Sequence, residues 1–154
     1  MANYYTGFIC NNGHVRSSYG ECSETFCPEC GSEVLHQCPS CNTLIRGIKN
    51  DDFSSFYKYK RPNYCFKCSK PLPWTEKILE NSVELLSLDT QLDSETKALI
   101  KNALPDLLVE TPTTNVAIAK YQTYMSGASK IVKDGMRNLL VDVLSETVKK
   151  SLFG

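Results

Sequence analysis

The residues of this chain most able to do chemistry are soft metal ligands, and they come in pairs. Cys27-Pro-Glu-Cys30, Cys38-Pro-Ser-Cys41 and Cys65-Phe-Lys-Cys68 are knuckles whose two-residue gap lets both sulfurs turn to one side. Cys10-Asn-Asn-Gly13-His14 is a fourth, because glycine permits a reversal tight enough to bring an imidazole round to a thiolate. Two facing knuckles supply the four thiolate or imidazole ligands of a tetrahedral structural zinc ion. Four knuckles therefore predict two structural zinc ions per chain.

The gaps between knuckles suggest how they pair. Joining Cys10 and His14 to Cys27 and Cys30 encloses 12 residues, 15 to 26, and joining Cys38 and Cys41 to Cys65 and Cys68 encloses 23, 42 to 64. Both suit a ribbon, being near the ~12 to 20 residues usual between ligand pairs in zinc motifs. The alternative joins the two central knuckles across seven residues and obliges the outer pair to meet around them. Ten candidate ligands compete for eight places. Cys22 and His36 are read as the spare ones, with Cys22 the alternative to His14. Otherwise Cys22 is expected to be a half-buried thiol, since no positioned base accompanies it.

Sites closed by four protein ligands leave no position for a reactive water. The deaminase arrangement of His-x-Glu before Pro-Cys-x-x-Cys is absent, because Val15 and Arg16 follow His14. Neither a Ser/His/Asp arrangement, a phosphate-binding glycine loop nor a helical His-Glu-x-x-His occurs. The chain is not expected to be an enzyme.

Positioning these ligands falls to short strands and turns. All eight cysteines lie in the first 68 residues, and residues 1–71 are rich in Gly, Asn, Ser and Tyr. So few aliphatic side chains cannot stabilise a small domain, and metal replaces the missing core. The fold class predicted is a small zinc-stabilised β region of tandem zinc ribbons, 1–71, followed by an α-helical domain, 72–154. The N-terminus lacks a secretory signal and no apolar run reaches membrane-spanning length, which points to a reducing, cytoplasmic location and to thiolates over disulfides. Pro71, Leu72 and Pro73 form a stiff joint. Period-3.6 patterning beyond it predicts three to four amphipathic helices: one from Trp74 to Leu88, one capped near Asp93 or Ser94 and kinked or split at Pro105, and a long apolar face from Val116 to Val148 that breaks or bends at Ser126–Ser129.

The chain carries 17 Lys/Arg and 17 Asp/Glu, without the net basic footprint of most nucleic-acid binders. Residues 1–71 hold eight basic and six acidic side chains, and two zinc sites with seven thiolates would make that balance slightly negative. Residues 56–61, with Lys58, Tyr59, Lys60 and Arg61, interleave rings and cations as a stacking surface would, though alternating Tyr and Lys is also ordinary strand patterning. The leading expectation is a zinc-binding, non-enzymatic protein-interaction or adaptor protein that packs or self-associates through its helices. The alternatives are a nucleic-acid-binding accessory factor and, as the lesser one, a membrane-associated effector. An interfacial helix would carry a more uniformly basic polar face than the C-terminal one does.

Taken in order, ICNNGH, CPECG, CPSCNTLIRG, YKRPNYCFKC, KPLPWTE and SETVKKSLFG resemble a family of small bacterial proteins of unknown function with two zinc ribbons before a helical tail. The resemblance covers nearly the whole chain. It implies one zinc set of Cys10, His14, Cys27 and Cys30 and another of Cys38, Cys41, Cys65 and Cys68. Ser69 stands where such knuckles usually have glycine.

Overall fold

A computed structural model describes residues 3–50 and 58–154. Phe56 and Tyr57 of the basic-aromatic stretch lie outside the described residues. The chain divides into two compact units, Met1–Lys77 and Ile78–Gly154.

Among its described residues the first unit holds five short strands: β1 (Tyr4–Thr6), β2 (Phe8–Cys10), β3 (Val15–Ser17), β4 (Val34–Leu35) and β5 (Arg46–Lys49). They form a three-stranded sheet in the order β3-β2-β4 and a two-stranded sheet, β1-β5, all antiparallel. Backbone contacts join the two sheets: Gly7 N–H donates to Ile45 O at 2.7 Å and Ile48 N–H to Ser18 O at 2.9 Å. This closeness requires glycine at position 47, where a Cβ would stand 2.5 Å from Ser18 O and 2.9 Å from Tyr5 O. The core consists of Ile9, Ile45, Leu72 and Trp74 together with the thiols of Cys38 and Cys65. Sulfur thus occupies volume that aliphatic side chains fill in a larger domain.

Helices follow: α1 (Pro73–Ser87), α2 (Ser94–Leu107), α3 (Thr114–Met125), α4 (Lys130–Leu140) and α5 (Glu146–Phe153). Pro73 opens α1 where a missing N–H costs nothing, and the unit division after Lys77 falls inside this helix. Asp93 caps α2 by accepting from Thr96 N–H at 2.7 Å. Of the kink or split expected at Pro105, the split does not occur: α2 runs through the proline and closes two residues later, at Leu107. Ser126–Ser129 does break the chain, and the Ser129 hydroxyl caps α4 at Val132 N–H.

Five helices stand where three to four were expected, because a second break falls at Val141–Ser145. Ser145 caps α5 by accepting from Val148 N–H at 3.3 Å. The apolar positions of this C-terminal stretch, Met136, Leu140, Leu144 and Val148, are buried in a core with Leu86, Ile100 and Leu104. Each such side chain contributes ~1.5–3 kcal/mol on leaving water. No helix among the described residues is long and apolar enough to cross a membrane.

One buried carboxylate ties this unit together. Asp89, 3% exposed, accepts from the N–H groups of Gln91, Leu92 and Ser129, each at 2.7 Å. The Ser129 N–H foremost, with those of Leu92 and Gln91, holds its carboxyl down at about 2. Lys97 Nζ meanwhile donates to the Asp89 carbonyl at 2.5 Å.

Candidate metal centres

Three knuckles share one backbone design. The N–H of Cys27 donates to Ser32 O at 2.7 Å, that of Cys38 to Thr43 O at 2.8 Å, and that of Cys65 to Lys70 O at 2.9 Å. The residue after each second cysteine returns an N–H to the first cysteine's carbonyl: Gly31 to Cys27, Asn42 to Cys38 and Ser69 to Cys65. That return requires a left-handed backbone, with φ of 76° at Gly31, 62° at Asn42 and 61° at Ser69. Serine therefore adopts the turn for which glycine is the usual residue. Gly13, at φ 90°, makes the fourth reversal and lets Cys10 N–H bond His14 O at 3.1 Å.

The knuckles meet in two clusters. In the first, Cys10, His14, Cys27 and Cys30 place their ligand atoms within 4.8 Å of one another, and in the second Cys38, Cys41, Cys65 and Cys68 do the same. Cys10 Sγ stands 3.4 Å from His14 Nδ1 and 3.6 Å from Cys30 Sγ, while Cys27 Sγ is 3.6 Å from the same ring nitrogen. In the second cluster Cys38 Sγ lies 3.7 Å from Cys68 Sγ, and Cys41 Sγ 3.6 Å from Cys65 Sγ. All eight cysteines are free. Either cluster can hold a metal ion.

Both spare ligands stand outside the clusters. Cys22 is half-buried and directs its thiol to Glu24, with the carbonyl oxygen at 3.9 Å. His36 stacks on Phe8 with ring centroids 5.5 Å apart. Glu24 is itself gripped by the Arg16 guanidinium at 2.9 and 3.1 Å, which holds its carboxyl below the usual range. Arg16 also reaches Glu29 at 2.8 Å, so one side chain joins two parts of the first ribbon.

Neighbouring donors bias two of the sulfurs, those of Cys30 and Cys41, toward the thiolate form that a metal requires. The Ser32 backbone N–H, then the Asn12 and Ser32 side chains, lower Cys30 to about 5. The Thr43 hydroxyl, 3.2 Å from Cys41 Sγ, and its backbone N–H lower Cys41 to about 6. Lys70 donates its backbone N–H to Cys68, but burial and the Cys38, Cys65 and Cys41 thiols prevail and raise Cys68 to about 11. Burial raises Cys10. Asn12, Ser32 and Thr43 were not singled out from the sequence. The available signal was a donor two residues beyond the second cysteine, repeated at Ser32 and Thr43.

Two four-ligand Cys/His clusters on short antiparallel strands, followed by helices, define a small Cys/His-cluster protein with a helical C-terminal region. The chain belongs to a family described as uncharacterized proteins conserved in bacteria (DUF2321), whose family model matches residues 3–152. No curated protein and no solved structure matches it.

Proposed function

We propose that each cluster holds one structural zinc ion and that the protein is a non-enzymatic interaction protein, its rigid metal-closed head joined to a helical region that packs or self-associates. The ligand separations carry this reading. Thiolates ~2.3 Å from a tetrahedrally bound zinc stand ~3.8 Å apart, and a thiolate and an imidazole nitrogen ~3.5 Å apart. The clusters have Sγ···Sγ separations of 3.6 to 3.7 Å and Sγ···Nδ1 separations of 3.4 and 3.6 Å. A disulfide would need ~2.05 Å. Four ligands fill each coordination sphere, which supports a structural over a catalytic metal.

Elemental analysis of the purified protein should give two zinc per chain. Replacement by cobalt should yield the intense visible bands of tetrahedral thiolate coordination in both sites. One metal per chain, or the weak bands of an octahedral ion, would remove the assignment. Self-association is read separately by light scattering over a concentration series, and a mass equal to one chain throughout would leave a different protein as the partner.

A further inference from the structure

The averaged charge of the first unit conceals a division. Residues 1–37 hold one Lys/Arg and four Asp/Glu, while residues 38–72 hold seven Lys/Arg and only Asp51 and Asp52. The formal balances are −3 and +5. Zinc with three thiolates removes one further charge from the first, and zinc with four removes two from the second, so the second ribbon stays cationic.

That cationic ribbon also presents rings. The Arg46 guanidinium carbon lies 4.4 Å from the centroid of Tyr4 and 3.8 Å from that of Phe66, and the two rings are 42% and 54% exposed. Tyr4, Thr6, Thr43, Leu44, Arg46 and Phe66 line a shallow depression of about 380 Å³. Lys49 is the cross-strand partner of Tyr4, and Lys67 follows Phe66. Tyr59 Oη donates to the Arg46 carbonyl at 2.5 Å, and its chain neighbours Lys58 and Lys60 are exposed. None of these four lysines has a carboxylate within ion-pair distance among the described residues. Arg61, by contrast, donates to the Gly13 carbonyl. Among the described residues of the stretch read from the sequence as a stacking surface, Lys58 and Lys60 are exposed, while the exposed rings Tyr4 and Phe66 belong to β1 and the last knuckle.

We infer that this face of the second ribbon binds single-stranded nucleic acid, with bases stacking on Tyr4 and Phe66 beside Arg46 and phosphates meeting Lys49, Lys58, Lys60 and Lys67. An acidic protein would use the cations and be indifferent to the rings, whereas base planes use both. The inference rests on zinc holding the second ribbon closed.

The test is fluorescence anisotropy of a labelled single-stranded oligonucleotide of about 12 nucleotides with protein of measured zinc content. Phe66→Ala and Tyr4→Ala should each weaken binding about tenfold. Phe26→Ala, which removes a ring 62% exposed on the acidic ribbon, should leave it unchanged. The logarithm of affinity should fall with that of salt at a slope of about −2 to −3, equivalent to roughly three or four phosphates, and less steeply in a Lys58→Glu, Lys60→Glu variant. Absence of binding at low salt by protein carrying both zinc ions would overturn the inference and leave the zinc assignment standing. Binding retained by protein stripped of both zinc ions would overturn the zinc assignment together with the premise that metal closes this face. Affinity unaffected by either ring substitution, or lost to polyglutamate as readily as to unlabelled oligonucleotide, would also sink it, the latter in favour of an acidic protein partner.

Discussion

Trp74 offers the most direct measure of how far the first unit depends on its small core. It is the chain's only tryptophan, is 1% exposed, packs with Cys38 and Cys65, and donates its indole N–H to Pro62 O at 2.9 Å. In Trp74→Phe that hydrogen bond is lost, at about 0.5–1.5 kcal/mol. The smaller ring leaves a void of about 40 Å³, adding about 1 kcal/mol at about 24 cal/mol per Å³. The sum, about 2 kcal/mol, lowers the ratio of folded to unfolded protein about 30-fold. Urea titration of metal-loaded protein, with a chromophoric chelator reporting release, should show the variant giving up metal at clearly lower denaturant. In the unsubstituted protein, tryptophan emission should move to the red as metal leaves the second cluster. A variant within about 0.5 kcal/mol of the parent would refute the reasoning, because that is the range of a surface substitution.

Three other outcomes are expected. Cys22→Ser should retain two metals per chain by elemental analysis, whereas Cys65→Ser should lose one, since only the latter belongs to a cluster. Gly13→Ala should weaken metal retention by the first cluster: position 13 has φ 90°, and a Cβ there would lie 2.5 Å from Arg61 Nη1 and 2.8 Å from its Cζ. Helical circular dichroism against pH should show an acid transition in the second unit that Asp89→Asn flattens while lowering stability at neutral pH. The Asp89 carboxyl is held at about 2 in the fold against 3.8 ordinarily, so its contribution is complete above the ordinary value and disappears as pH falls through about 2.

The residues of the two clusters were legible in the sequence because a knuckle is a local object: four residues decide where both sulfurs point, and the gaps leave few ways to pair. Gly13 announced its turn and Ser69 stood at a position where glycine is usual, but Asn42 adopts the same left-handed backbone without such a signal. The strands, two to four residues long, are too short to show alternation. In the helical region Ser126–Ser129 could be read as a break, whereas the apolar period ran on through Val141–Leu144 and concealed the cap at Ser145. Asp89 was illegible for another reason. Its partner Ser129 is 40 residues away, and no local rule connects a carboxylate to so distant an amide. Net charge averaged two stretches of opposite sign, residues 1–37 and 38–72, and so did not show their division.

The clusters are consecutive along the chain, with Cys30 completing one before Cys38 begins the other. Eight ligands mixed in a refolding flask can combine wrongly, and those errors are stable for as long as the wrong ion-bridged loops persist. In a chain made N-terminus first, the four residues of the first cluster precede those of the second, which reduces the wrong pairings open to it. On the zinc reading, order of synthesis would favour the correct pairing. Protein made in the presence of metal and protein reconstituted from the denatured apo chain should differ in yield even where their final structures are the same.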